Sequence, residues 1–300
     1  MIDCDPGHDD FLAILLAARF ADLRGITTVA GNSSLANTTR NACIAADMCG
    51  FRGPVVAGAA GPLLGQPKFA EHVHGASGLE GPELPAVIRP PDDGDAGSFL
   101  LDTCGPDTWL IATGPLTNVA LAIRRDPGFA TRLAGISVMG GSTSFGNMTP
   151  VAEFNIWADP EAASIVFSSG ARLRMVGLNV THTVLVGSPF VQRVRQLGTP
   201  AARFVGDLLE AFVRLYGKIS SQPGFAPIHD ACALLWVTHP ELFGSVSARV
   251  DIELAGAFTR GMTVVDLREV PDTGAANADV AMSADGQRVL DLLYETLSAL

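Results

Sequence analysis

The sequence predicts an α/β fold: a doubly wound, mostly parallel (mixed) central sheet with helices on both faces. Three observations carry this expectation. Short apolar runs rich in β-branched residues, at 24–30, 54–57 and 108–112, alternate with stretches of helical composition, and such strands belong to parallel sheets covered on both faces. Strand candidates run into turn residues that open the next helix, as at Gly31-Asn32 and Thr113-Gly-Pro-Leu-Thr-Asn118. Alternation of apolar and polar residues appears only late, at 250–254 and 262–267, which therefore read as antiparallel edge strands. A chain of 300 residues with 48% hydrophobic content can bury one large core. It shows no internal repeat or low-complexity linker, so 1–300 reads as a single domain.

The chain opens on Ile2-Asp-Cys-Asp-Pro-Gly-His-Asp-Asp10, which places the carboxylates Asp3, Asp5, Asp9 and Asp10 within eight residues. Residues two apart on a strand share a side, so Asp3 and Asp5 are expected on one face, at its carboxyl end. Pro6-Gly7 turns the chain. The helical run 11–20 then sets Asp9 and Asp10 at a helix start, where the dipole favours negative charge. Four acids meeting in a low-dielectric cleft repel one another unless a cation neutralises them. With oxygen ligands and neither Cys nor His in metal spacing, Ca²⁺ or Mg²⁺ is expected rather than Zn²⁺. Only two residues precede Asp3, so the first strand is short or the true start codon lies upstream.

Next come a strand at 24–30, a helix at about 35–49 and a strand at 54–57. Residues 58–96, rich in Gly and Pro and carrying His72 and His74, read as one long loop. The strand at 135–139 leads through Gly140-Gly141 to a polar loop with Asn147, and Glu153 and Asn155 lie two apart, able to face the same way. Asp159-Pro160 reads as a helix cap followed by Pro at the first helical position. After a strand at 173–176, His182 reads as structural. Residues 191–216 read as a helix, 217–227 as a breaker-rich connection, and the helix from Ile228 puts His229-Asp230 at its start. An amphipathic helix at 286–297 closes the chain. Ligands of such sheets bind outside the carboxyl ends of the strands, where Asp5 and Asn32 sit.

A net charge of −11 and a pI near 4.9 argue against a nucleic-acid partner, since no basic patch is present to neutralise phosphates. A small or neutral substrate fits better. The five cysteines are scattered and are expected as buried small hydrophobes in a reducing cytosol. No apolar run approaches a membrane span, and the chain opens directly on the acidic strand, without the pattern of a signal peptide.

The opening Asp3-Cys-Asp-Pro-Gly-His-Asp-Asp10 resembles the N-terminal signature of the inosine-uridine-preferring nucleoside hydrolases. The resemblance continues in order through Gly31-Asn32, Thr113-Gly-Pro-Leu-Thr-Asn118, Asn147, Glu153-Phe-Asn155, Ile228-His-Asp230 and Thr259-Arg-Gly-Met-Thr263. It implies a Ca²⁺-dependent ribonucleoside hydrolase, cytoplasmic, active in nucleoside catabolism and forming homodimers or homotetramers. It implies that Asp5, Asp10, Asp230 and the carbonyl of Thr113 hold the Ca²⁺. Asp9, Asn32 and Asn155 would bind the ribose 2′- and 3′-hydroxyls with the metal sharing that task, Asn147 and Glu153 the 5′-hydroxyl, and Asp230 would also be substrate-binding. The segment from His74 would lie near the substrate, and Trp157, Phe212 and Tyr216 are the aromatic candidates for stacking on the base.

The chemistry agrees with this allotment. Ribose offers hydroxyls and no charge, which Asp, Asn and Glu suit better than Lys or Arg. N-glycoside cleavage builds positive charge on the sugar ring, which fixed carboxylates and amide oxygens stabilise. Water would be the nucleophile, with Asp5 as general base and Ca²⁺ lowering its pKa. His229 is the candidate general acid for the leaving base, being the one group of suitable pKa beside the metal site. A haloacid-dehalogenase-like phosphatase also opens on a strand with Asp-x-Asp, but it needs Thr or Val where Gly7 stands. A nonenzymatic Ca²⁺- or nucleoside-binding protein would have no need of both Asp5 and His229.

Overall fold

The computed structural model describes residues 1–219, 222–268 and 274–300. Among them are the strands β1 (Ile2–Cys4), β2 (Ile26–Thr28), β3 (Val55–Ala57), β4 (Trp109–Ala112), β5 (Gly135–Met139), β6 (Leu173–Val176), β7 (Leu185–Gly187), β8 (Phe225–Pro227), β9 (Phe243–Ile252), β10 (Thr263–Asp266) and β11 (Ala278–Ala284). Nine of them form one sheet in the order β10-β9-β11-β6-β5-β4-β1-β2-β3. From β3 to β11 every pairing is parallel, whereas β9 runs antiparallel to both β11 and β10. The expected doubly wound, mixed sheet is therefore present, with apolar clusters packed on its two faces. One cluster contains Phe11, Phe212 and Leu292, the other Leu116, Phe129 and Val166.

Strand β1 is short because it is central. Ile2 pairs with Ile26 on one side and Ile111 on the other, all three buried, so three residues suffice to lock it into the sheet. The chain winds outward from β1 to β3, returns, and winds the opposite way from β4 to β6. That reversal between β1 and β4 opens a crevice at their carboxyl ends, the place where such folds bind ligands. Asp5 and Thr113 directly follow these two strands.

Two helices bring the other acids there. His8–Phe20 and Asp230–Thr238 pack against each other, and each is buried over its first seven residues. A helix that is apolar all round is held by packing on every side, so their two acidic starts are fixed at one spot.

Four expectations need correction. Residues 191–216 form two helices, Ser188–Arg195 and Pro200–Tyr216, because Gly198 (φ +74°) ends the first and the Thr199 hydroxyl, accepting from Ala202 N at 3.1 Å, caps the second. The segment 58–96 carries the short helix Glu71–His74, pinned by backbone bonds that periodicity does not reveal. The strand expected at 250–254 belongs to β9 and is not an edge, since β11 covers its other side; the small residues of β11 and of 243–247 hide the alternation. The connection 217–227 ends in β8, which pairs antiparallel with β7, and its Ser220 and Ser221 lie outside the described residues. Of the five cysteines, all unpaired, Cys4, Cys43, Cys104 and Cys232 are buried as expected and Cys49 is half-buried. Among the described residues no helix is long and apolar enough to cross a membrane.

Candidate active site

Asp9, Asp10 and Asp230 each place a carboxylate oxygen within 4.8 Å of the others, and all three are buried. Asp10 is the hub. Its Oδ1 accepts from Thr113 Oγ1 at 2.8 Å, and its Oδ2 from Asn32 Nδ2 at 2.9 Å and Gly7 N at 3.2 Å. Asp9 Oδ2 accepts from the His229 backbone N–H at 3.2 Å, which ties the two helix starts together. Asp5 is outside this trio but adjoins it: its backbone N–H donates to Asp10 Oδ1 at 3.4 Å. Asp5 Oδ2 accepts from Asn32 N at 2.7 Å, whereas its buried Oδ1 has no hydrogen-bond partner among the described residues.

Asp3 does not converge with them. It stays inside β1, where Oδ1 accepts from Thr27 Oγ1 at 2.5 Å and Asn118 Nδ2 at 2.8 Å, while Asp5 lies past the strand end. The strand geometry therefore accounts for one carboxylate of that pair in the site, not two. Burial pushes the Asp3 carboxyl up to about 6.

Burial is also the first cause that raises Asp5, Asp9, Asp10 and Asp230 above the ordinary carboxylate range. The charge on Asp10 is the second cause for Asp5, Asp9 and Asp230. No lysine or arginine is among the described residues lining the cleft above them. Four buried carboxylates without a counter-charge must hold protons or a cation. The donor set is oxygen throughout and Asp5 Oδ1 is unspent, so these residues fit a hard divalent ion.

The wall of the cleft comes from the loop after β5. Glu153 caps the helix Phe154–Ala158: Oε1 accepts from Asn155 N at 2.9 Å, and Oε2 from Gly141 N at 2.9 Å and Ile156 N at 3.2 Å. Burial raises it to about 7 against those bonds. Asn155 Nδ2 donates to the carbonyls of Thr113 at 2.6 Å and Met139 at 3.1 Å. Asn147 is held in a turn by its N–H to Ala152 O at 3.1 Å. Thr263 braces this wall from β10, donating to Ser142 O at 2.6 Å. Asp9, Asn32, Asn147, Glu153, Asn155 and Asp230 all line the one cleft, as does Thr113.

The opposite side is aromatic. Phe212, Tyr216, His74 and His229 line it, whereas Trp157 does not; its ring is covered by Lys68 Nζ, 3.8 Å from the centroid. Phe212 stacks on His8 with centroids 4.9 Å apart and planes 9° apart. His8 Nε2 lies 2.9 Å from Glu80 O and its Nδ1 3.0 Å from His74 Nδ1. A carbonyl can only accept, so His8 donates through Nε2. Burial drives His8 down to about 4. The His8 backbone N–H donates to His74 Nδ1 at 3.2 Å, which holds the His74 ring in place. Against the expectation of a suitable pKa for a general acid, burial pushes His229 well below its usual range; its Nδ1 lies 2.7 Å from Thr181 Oγ1. His182, which reads as structural in the sequence, sits between them: Nε2 is 3.2 Å from Tyr216 OH and its ring 5.6 Å from that of His229.

Thr181, His8 and Met139 are not evident as site residues from the sequence. For Thr181 the signal is weaker than for Asp5: it does not directly follow β6 but closes the short helix Leu178–Thr181 in the connection after that strand. Nothing local distinguishes Met139 from any other strand residue.

Residues 1–291 match the family model described as inosine-uridine preferring nucleoside hydrolase. The chain is 41% identical to the pyrimidine-specific ribonucleoside hydrolase RihA of Salmonella gallinarum over 306 aligned positions, covering 99% of this chain and 97% of that relative. Among solved structures it is similar to the purine-preferring ribonucleoside hydrolase from Gardnerella vaginalis, with a TM-score of 0.93 at 30% identity over 99% of this chain and 97% of that one. A plant nucleoside hydrolase, PpNRh1, matches with a TM-score of 0.91 at 30% identity over 100% and 98% of the two chains.

Proposed function

Because the chain belongs to the inosine-uridine preferring nucleoside hydrolase family and is a ribonucleoside hydrolase, we propose that it cleaves the N-glycosidic bond with Ca²⁺ at the acidic floor of the cleft, Asp5 as general base and His229 at the departing base. One observation carries the reading: the buried carboxylates of Asp9, Asp10 and Asp230 lie within 4.8 Å of one another, and Asp5 adjoins them through its backbone N–H to Asp10 Oδ1.

Asp5, Asp10, Asp230 and the Thr113 carbonyl would hold the ion, with Asp9 close enough to share it. Bound there, the cation would neutralise the carboxylates and make a water more acidic. Asp5 is suited to take the proton. Its Oδ2 is fixed by Asn32 N–H, which leaves the unpartnered Oδ1 as the basic atom.

Asn32 and Asn155 spend their N–H groups on Asp10, Thr113 and Met139, so each presents its carbonyl oxygen to the cleft. Carbonyl oxygens receive hydroxyl protons, and a ribose brings three. Glu153 keeps lone pairs for the 5′-hydroxyl after accepting its backbone N–H groups, with Asn147 alongside. The same oxygens lie around a ring that becomes cationic as the bond breaks, and they stabilise that charge where it develops.

A purine or pyrimidine leaves badly as an anion. His229, kept neutral by burial, assists by donating an N–H hydrogen bond to the charge growing on the base. Tyr216 and Phe212 form the apolar wall against which the base stacks. By the family resemblance the enzyme works in the cytoplasm as a dimer or tetramer. Chromatography of inosine and uridine incubations tests the activity. Free base and ribose are expected, and intact nucleoside after incubation with the Ca²⁺-loaded protein would reject it.

A further inference from the structure

A buried hydroxyl must place its proton, and Thr181 has one acceptor for it. The residue is fully buried at the end of the short helix Leu178–Thr181. Among the described residues its Oγ1 has a single hydrogen-bond partner, His229 Nδ1, at 2.7 Å. Leaving a buried donor unmade costs more than most single contacts contribute. The O–H therefore points at Nδ1, which must carry a lone pair, and the ring proton sits on Nε2.

We infer that Thr181 is a positioning residue for the reaction: its hydroxyl selects the His229 tautomer that presents Nε2–H to the departing base. The reverse arrangement, Nδ1–H donating to Thr181, would turn a lone pair toward the base and strand the hydroxyl proton. The other ring nitrogen of a histidine commonly decides its role in this way. The next residue, His182, holds Tyr216 by a 3.2 Å bond, so one two-residue segment orients both sides of the base subsite.

The inference rests on the assignment of His229 to the departing base, and the experiment separates the two. kcat is measured on inosine or uridine, whose base departs poorly, and on p-nitrophenyl riboside, whose nitrophenolate departs without help, for wild type, Thr181→Val, Thr181→Ser and His229→Ala. The nucleoside-to-nitrophenyl ratio of kcat should fall at least about tenfold in Thr181→Val, a fraction of the about hundredfold that proton assistance is worth. Thr181→Ser, which restores the hydroxyl, should return the ratio toward wild type, and His229→Ala should lower it at least as far as Thr181→Val. A wild-type ratio in His229→Ala would reject the His229 assignment and this inference with it. A lowered ratio in His229→Ala beside a wild-type ratio in Thr181→Val would reject the inference alone. Nitrogen NMR of the histidine rings reads the tautomer without turnover and without any variant: His229 as Nε2–H supports the inference, and His229 as Nδ1–H overturns it.

Discussion

Asp5 Oδ1 occupies the space that a side chain on Gly114 would need: a Cβ there would stand 2.7 Å from that oxygen. Gly31 closes the other side, its Cβ position lying 2.1 Å from Oδ2. The carboxylate is thus seated between two glycines whose missing side chains are its room. Gly114→Ala should therefore push Asp5 out of place, costing about 1–3 kcal/mol of stability as overpacking. Activity should suffer more, by about a hundredfold in kcat, because a shift near 1 Å in a reacting group is that costly. Paired thermal melts and steady-state kinetics check this, and a Gly114→Ala enzyme with wild-type kcat would contradict the placement of Asp5.

Cation binding should grow stronger with pH. The carboxyls of Asp5, Asp9, Asp10 and Asp230 are raised in the folded protein by burial. For such groups the stabilising protonated state is fully present below the unfolded pKa near 4 and is lost as pH rises through the folded value. Metal-free protein loses that contribution on going alkaline, while Ca²⁺ compensates the charge then exposed. The melting-temperature increment from Ca²⁺ over chelator should rise from about pH 5.5 to about pH 8. Surface terms, the same in both arms, cancel in that difference. At saturation near a hundred times Kd the increment should be on the order of 5 °C. An increment that is flat or falls with pH would speak against a cation on this cluster, as would full activity in metal-free protein.

Asp5→Asn keeps the size, the oxygen that accepts from Asn32 and a possible ligand atom, but it removes the proton acceptor. A loss of at least about a hundredfold in kcat is expected, the lower end for general-base catalysis. Melting temperature in Ca²⁺ should change little by comparison. A near-normal kcat would mean that another group takes the proton.

The configuration of the product follows from the same geometry. With the carboxylates engaged by a cation, water attacks directly and inverts the anomeric carbon, whereas a carboxylate nucleophile would retain it through a covalent intermediate. Rapid proton NMR of a uridine reaction should show α-ribose first. β-Ribose as the initial product would exclude direct attack.

The local devices are the part the chain spells out in order. The run from Asp3 to Asp10 encodes a strand end, a turn and a helix start within a few residues, and strand period, turn chemistry and helix dipole act at that range. The same holds for Asp159-Pro160, whose carboxylate does accept from Ala162 N at 3.1 Å and cap its helix. Alternation failed where its carriers are small, so β11 went unseen, and the Gly198 break had too little apolar contrast around it to interrupt a helical pattern. What brings Asp9 and His229 together across 220 residues is different in kind. It depends on two helices buried on every side over their first seven residues, where no polar face states which neighbour each will meet. Tertiary packing likewise decided that Asp3 stays within the sheet while Asp5 emerges beside Asp10, and that the Thr181 hydroxyl reaches His229 Nδ1. Residue types and local turns determine which groups can do this chemistry. Only the packed interior, where each buried donor must find an acceptor and each buried charge a counter-charge, decides which of them meet.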